Sequence, residues 1–206
     1  MNSINKHKNW IYLLPLTCLC IYYLIKSYSF LPHDFANYYF GASFLESGNF
    51  STQIYNPIWF NLKISEIQKH VFASYAPNTP FLALFFLPFT IIEFGLAKLL
   101  FNALSIILFL YALKNLFQEY KISFIHFITI FIIFFIPIRN NILFGQVYFL
   151  LFFLISEGFL AYKKEKYLKV GFLWSIAILL KVFPVILFAL LLFSKKIKTL
   201  IYLSIC

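Results

Sequence analysis

The chain has 206 residues, of which 62% are hydrophobic and only 12% are charged. Ordinary soluble domains carry about twice this charged fraction, so the composition excludes a soluble protein and predicts an all-α, polytopic integral membrane protein. The formal net charge is +10, but the lysines cluster between apolar runs, as the positive-inside rule expects of cytoplasmic loops. We therefore exclude nucleic acid as a partner and expect membrane lipid instead.

The sequence offers no pattern for a metal ion or a cofactor. Cys18, Cys20 and Cys206 lack the spacing of metal ligands, and their odd number argues against a disulfide framework. The printed sequence contains no Gly-rich phosphate loop, no Cys/His cluster and no Asp-x-Asp motif. We expect a protein that uses neither a metal nor a cofactor.

The first hydrophobic run covers residues 10–30, is long enough to cross a bilayer, and follows a basic amino terminus. No small-residue cleavage site follows it, so we predict a retained anchor with its amino terminus inside. Residues 31–79 are then a long external loop. Within this loop, residues 35–45 and 57–70 carry apolar residues at helical spacing, which predicts two helices lying in the membrane interface, the first broken at Gly48.

Further spans are predicted between residues 80 and 193. Residues 80–92 are apolar but too short for a straight span, and Glu93 and Gly95 interrupt the run before residues 96–113. This pattern fits either a hairpin of a short and a full helix or one broken helix with a re-entrant half. Apolar runs at residues 122–138, 147–162 and 170–193 follow, the last interrupted by Lys181 and Pro184.

The lysine clusters give a mixed indication of sidedness, because those at residues 163–169 and 195–198 both look cytoplasmic although a single span between them would separate them. If those at residues 114–121 and 163–169 lie inside, the polar segment 139–146 is external, on the same side as Asp34. A strict hairpin over residues 80–113 would reverse this; we favour the first arrangement. Residues 199–206 resemble the opening of another span, so we expect the single membrane domain of residues 1–206 to be a fragment or a truncated chain.

The candidate catalytic residue is Asp34, the only aspartate of the chain, placed where the first span should emerge into water. A carboxylate in this part-apolar, aromatic setting is a candidate general base. Aspartate is also a favoured N-cap, and Asp34 precedes a predicted helix, so a structural role is an equally good interpretation. Tyr38 and Tyr39 follow closely and could stack on a sugar.

Two cations are candidates for binding an anion. Arg139 is the only arginine and is accompanied by amides, and charges at a membrane edge are costly enough to suggest function. Its planar guanidinium suits phosphate, although a snorkelling topology anchor is the alternative. Lys181 precedes the helix-breaking Pro184 and could bind an anionic headgroup from a cavity. If the helix is broken there, Lys181 is an ordinary boundary lysine.

Several motifs in this order resemble glycosyltransferase family 87, a family of polyprenyl-phosphate-dependent membrane enzymes of the GT-C superfamily. The resemblance covers the N-terminal half of such proteins. The matching elements are Asp34 with Tyr38-Tyr39 and Gly41-Ala42, then Gly48, Tyr55-Asn56-Pro57, Tyr75-Ala76-Pro77-Asn78-Thr79-Pro80, Asn141-Ile142-Leu143-Phe144-Gly145-Gln146 and Lys181-Val182-Phe183-Pro184.

The resemblance implies a GT-C-type helical bundle in the plasma membrane. It also implies inverting transfer of a hexose, typically mannose, from a polyprenyl-phosphate donor to a glycolipid or glycan acceptor on the outer face. By analogy Asp34 is the base, while Tyr38, Tyr39, Arg139, Gln146 and Lys181 bind substrate. Two other classes of function fit the same membrane charges. They are a transporter or flippase, which inverted internal repeats would favour, and a non-catalytic scaffold.

Overall fold

The computed structural model describes residues 4–30 and 34–193 of the chain, and within these ranges it is built of α-helices and 3-10 turns, with no strand. This confirms the predicted all-α fold. The α-helices are α1 (Ile4–Ser29), α2 (Asp34–Glu46), α3 (Pro57–Ile67), α4 (Pro80–Phe86), α5 (Phe94–Tyr120), α6 (Phe124–Phe144), α7 (Tyr148–Lys163), α8 (Tyr167–Leu180) and α9 (Ile186–Phe193). The 3-10 turns are Thr52–Tyr55, Leu87–Phe89 and Phe183–Val185.

Two helices, α5 and α6, are each long and apolar enough to cross a membrane. The count of spans in the described residues rises to 3 if α1 and α2 together form one bent span. These helices confirm a membrane protein. The predicted start of a further span at residues 199–206 lies outside the described residues.

The described chain divides into two compact units. Unit 1 combines the residues up to Phe35 with Ile92–Leu150, and unit 2 combines Ala36–Ile91 with the residues from Leu151 onward. Whether the chain behaves as the single membrane domain expected from the sequence stays a prediction.

Unit 1 is a helical assembly in which α1 packs against both α5 and α6. Helix α5 is capped by Glu93, whose carboxylate accepts hydrogen bonds from the backbone N–H groups of Gly95 and Leu96. Side-chain capping of this kind satisfies N–H groups that have no partner inside the helix. The predicted interruption at Glu93 and Gly95 is therefore a helix start. Aromatic packing, such as the stacked rings of Phe109 and Phe149 at 4.1 Å, fills the core.

Unit 2 is organised around the buried ring of Tyr75. The Tyr75 hydroxyl donates to the Thr79 carbonyl at 2.7 Å and accepts from the Ala83 amide at 3.1 Å, which fixes the entry into α4. Gly41 of α2 lies directly against this ring, where any side chain would collide with it. Burial raises the pKa of the Tyr75 phenol above its ordinary value. Helix α4 in turn packs against α8.

The two helices predicted in the external loop are present. Helix α2 spans Asp34–Glu46 and stops before Gly48, which adopts φ 73°. An interfacial helix needs to bury only one face, but α2 buries side chains on several faces. The buried residues are Phe35, Ala36, Tyr38, Phe40, Ala42 and Phe44. Helix α3 buries Phe60 and Ile64 but leaves Ile58 and Leu62 exposed, as a lipid-facing surface would be.

The sequence-based boundary at residue 139 is wrong. We expected a polar connection over residues 139–146, but α6 continues to Phe144, so Arg139 and Asn141 lie inside the helix. Pro137 does not end it, and the connection to α7 shrinks to Gly145–Val147. Polar residues signal a loop only when they are exposed, whereas Asn141 is buried here.

Candidate functional site

The predicted base, Asp34, is the first residue of α2 and is half-buried. Its Oδ2 accepts a hydrogen bond from Nε2 of Gln146 at 2.6 Å. No described hydrogen bond joins its carboxylate to a backbone N–H of its own helix, so the N-cap interpretation lacks its defining contact in the part of the chain that the structure describes. The carboxylate instead faces an amide from the far end of α6.

The turn after α6 explains how Gln146 reaches Asp34. The N–H of Gly145 donates to the Ile142 carbonyl at 3.3 Å, and the N–H of Gln146 donates to the Asn141 carbonyl at 2.9 Å. These two bonds form a Schellman motif, which requires a left-handed residue after the helix. Gly145 provides it with φ 68°, a conformation that costs glycine little. The chain therefore reverses sharply and projects Gln146 towards the start of α2.

Gly145 is also a point of close approach. A Cβ atom at this position would lie 2.7 Å from Cβ of Phe35 and 3.4 Å from Cγ of Lys98. The turn is thus packed between the neighbour of Asp34 and the stem of Lys98. Within unit 1, a single glycine brings the carboxylate of Asp34, the amide of Gln146 and a buried lysine to one end of the helices. We call Asp34, Gln146, Gly145 and Lys98 the Asp34 cluster.

Lys98 is a functional candidate that the sequence analysis missed. It is only 1% exposed, and its Nζ lies 3.4 Å from the Phe30 carbonyl and 6.0 Å from the centroid of the Phe30 ring. Four residues on, Asn102 donates from Nδ2 to Ser27 Oγ at 3.1 Å and to the Ile142 carbonyl at 2.8 Å. The sequence did contain a signal for this site. Lys98 and Asn102 are two polar residues one helical turn apart, in a run that is otherwise apolar enough to span a membrane.

Unit 2 holds a second polar group, formed by Lys181, Asn78 and Tyr38, which we call the Lys181 cluster. Helix α8 ends at Leu180, so Lys181 lies at a helix boundary, which was one of the two sequence-based interpretations. Its backbone is extended with φ −146°. Its Nζ nevertheless donates to Oδ1 of the buried Asn78 at 2.6 Å and lies 5.8 Å from the Tyr38 ring centroid. Asn78 precedes α4 and was not singled out from the sequence.

A profile described as Glycosyltransferase family 87 matches residues 76–206, well over half of the 206 residues. The chain belongs to glycosyltransferase family 87. No curated protein and no solved structure matches it. Membership in glycosyltransferase family 87 confirms the resemblance seen in the motifs and indicates a membrane glycosyltransferase, which acts on a sugar donor and an acceptor.

The glycosyltransferase family 87 match includes Arg139, Gln146 and Lys181 and begins after Asp34, Tyr38 and Tyr39. The roles of all six residues stay predictions. The structure brings Asp34 to Gln146 in unit 1 and Tyr38 to Lys181 in unit 2.

Arg139 and Tyr39 belong to neither of these two pairs. Nη1 of Arg139 donates to Oδ1 of its neighbour Asn140 at 3.3 Å, and no described hydrogen bond joins Arg139 to another predicted site residue. The ring of Tyr39 meets that of Phe40 edge-on at 5.4 Å. In residues 4–30 and 34–193, no three His, Cys, Asp or Glu side chains are grouped in a way that would hold a metal ion.

Proposed function

We propose that this family 87 glycosyltransferase transfers a hexose, mannose in the first instance, from a polyprenyl-phosphate carrier to a glycolipid or glycan acceptor. Transfer inverts the anomeric carbon, uses no metal ion and takes place on the outer face of the plasma membrane. The observation that carries the proposal is the hydrogen bond between Asp34 and Gln146, because it holds a carboxylate in one orientation at the end of unit 1.

The proposed reaction is a direct displacement. A lone pair of the acceptor oxygen attacks the anomeric carbon, the C–O bond to the carrier phosphate breaks, and the polyprenyl phosphate leaves with that electron pair. The carboxylate of Asp34 takes the proton of the acceptor hydroxyl. Phosphate is a ready leaving group, so one carboxylate is enough and neither a covalent intermediate nor a separate acid is needed.

The remaining predicted residues have supporting roles in this proposal. The Gln146 amide donates to one oxygen of Asp34 and leaves the other oxygen to face the acceptor. Lys181 and Arg139 offset the negative charge that develops on the carrier phosphate, the kind of stabilisation that helps transfer most. The part-exposed Tyr39 ring provides a surface on which a sugar can stack. The Tyr38 ring is buried, and in this proposal it contributes by lying 5.8 Å from the Lys181 ammonium. Asn78 holds the Lys181 ammonium through their 2.6 Å hydrogen bond.

The test is transfer of labelled mannose from polyprenyl phosphate in membranes that contain the full chain. Asp34→Asn keeps the size of the side chain and removes its basicity, so the rate should fall by about 10²–10⁴-fold. Glu46→Gln is the matched control, because Glu46 is an exposed carboxylate on the same helix and should leave the rate unchanged. Unchanged transfer by Asp34→Asn at equal expression would remove Asp34 from the mechanism.

A further inference from the structure

Lys98 presents a buried positive charge with little to balance it. The side chain is 1% exposed, and in the part of the chain that the structure describes it forms no ion pair. An ammonium group has three donors, and the described acceptor is one carbonyl, that of Phe30, at 3.4 Å. A buried cation is costly unless it is paired and hydrogen-bonded. Such a residue in an apolar helix suggests an anionic ligand.

Asn141 provides a second, independent observation. It is 3% exposed, and its Oδ1 is a buried atom with no hydrogen-bond partner among the described residues. Its backbone carbonyl accepts the Gln146 N–H, so the residue belongs to the same end of α6 as the Asp34 cluster. A half-turn of the amide would exchange Oδ1 for the two donors of Nδ2. An oxygen-rich ligand can use either orientation, accepting from Nδ2 or donating a hydroxyl to Oδ1.

Asn102 makes this region rigid before any ligand arrives. Its two amide donors are both used, one on Ser27 of α1 and one on the Ile142 carbonyl of α6. Lys98 lies one turn away on the same face of α5. The ammonium is therefore carried by a helix that is hydrogen-bonded to both α1 and α6. Groups that are held in place before binding lose less conformational entropy when the ligand binds.

We propose that Lys98 binds the phosphate group of the polyprenyl-phosphate carrier within the Asp34 cluster. This assignment rests on the proposed function and adds to it the residue that holds the leaving group. Gly145 places Lys98 and Asp34 at the same turn, yet among the described contacts the two side chains form no ion pair. The absence of a direct pair suits a displacement, because the base and the leaving phosphate must stand on opposite sides of the sugar.

A purely structural role for Lys98 makes a different prediction. The carbonyl ends of α1 and α6 carry partial negative charge, and a nearby cation would stabilise them. A lysine with that role alone would affect stability and would not distinguish a lipid phosphate from the matching alcohol. The recognition of phosphate is therefore the readout that separates the two roles.

The experiment measures binding of polyprenyl monophosphate and of the corresponding polyprenol to the full chain in nanodiscs of phosphatidylcholine. The native protein should prefer the phosphate by about 10- to 100-fold, the range expected for hydrogen bonds to a charged group. Lys98→Met should remove this preference, and Lys98→Arg should restore part of it. Lys26→Met is the matched control, since Lys26 is an exposed lysine of α1 in the same unit. It should retain the preference.

Lys98→Gln is a second variant, for the case that Lys98→Met does not fold, and size-exclusion chromatography compares the variants. An unchanged preference in a folded Lys98 variant would overturn the proposal, as would equal binding of phosphate and alcohol by the native protein. Competition by phosphatidylglycerol as strong as by polyprenyl phosphate would instead assign the site to phospholipid headgroups. Full competition by inorganic phosphate would assign it to free phosphate. Either result overturns the carrier assignment.

The two proposals fail in different ways. Phosphate recognition that depends on Lys98, together with no mannose transfer by any form of the chain, would leave the Lys98 site standing and overturn the proposed function. Mannose transfer that depends on Asp34, together with phosphate binding that does not depend on Lys98, would support the proposed function and overturn the Lys98 assignment.

Discussion

Gln146 and Asp34 are 112 positions apart in the chain and are joined by a hydrogen bond of 2.6 Å between Nε2 and Oδ2. The bond links the first residue of α2 to the turn that follows α6. Hydrogen bonds to charged groups are shorter and stronger than those between neutral groups. We therefore propose that this contact orients the carboxylate of the proposed base and that Gln146 is a positioning residue.

Replacing Gln146 by leucine tests that role. Gln146→Leu should lower the turnover rate by about 10- to 100-fold, because a hydrogen bond to a charged group contributes about 1.5–3 kcal/mol. The KM for the donor should change little, since the amide acts through Asp34. Mannose-transfer kinetics measure both constants, and Gln53→Leu, at an exposed glutamine, is the control. A higher donor KM with an unchanged turnover rate would make Gln146 a binding residue instead.

Alanine substitutions at two glycines with positive φ distinguish the effect of backbone strain on stability from the effect of close packing. Gly145 and Gly48 have φ values of 68° and 73°; a Cβ atom would have neighbours within 4 Å at Gly145 and none among the described residues at Gly48. Gly48→Ala should lower the free energy of unfolding by about 1 kcal/mol, because alanine is strained in the left-handed conformation. Gly145→Ala should lower the free energy of unfolding by the same amount for its left-handed conformation. It should lower it by about 1–3 kcal/mol more because the new Cβ atom would collide with Phe35. Thermal unfolding in detergent compares them, and equal destabilisation would contradict the close approach.

The Lys181 cluster predicts coupling between two residues. Lys181→Met and Asn78→Ala should each raise the KM for the donor. The double variant should be less impaired than the sum, with a coupling energy of about 0.5–3 kcal/mol, because each change already removes their shared hydrogen bond. Lys166→Met, at an exposed lysine before α8, should leave the donor KM unchanged. Strict additivity of Lys181→Met and Asn78→Ala would mean that Asn78 does not position Lys181.

Tyr75 predicts a stability effect with a defined pH range. Tyr75→Phe removes hydrogen bonds to Thr79 and Ala83 and should lower the free energy of unfolding by about 1–3 kcal/mol. Because burial raises the pKa of this phenol, it stays neutral in the folded state. The loss should therefore be constant from about pH 6 to 9 and shrink only above the ordinary tyrosine value of about 10. Tyr28→Phe, at an exposed tyrosine of unit 1, is the control and should leave the free energy of unfolding nearly unchanged.

The sequence predicted most helices because their signals are local. Continuous apolar runs and the breaks at Gly48 and Pro184 act over one or two turns. The same local logic failed at residues 139–146. There the amides looked like a loop, whereas Asn141 is buried inside α6, and its burial depends on packing partners far away in the chain.

The sequence by itself determined the membrane class and the family, and it offered Asp34 as the candidate base, since these depend on composition and on short motifs. Only the tertiary structure decided which side chains meet. It joined Asp34 to Gln146 and Lys181 to Asn78, and it buried Lys98 against Phe30. The physical reason is that a side chain's burial and its hydrogen-bond partners are set by contacts between helices distant in the chain. Those contacts leave little trace in a run of apolar residues.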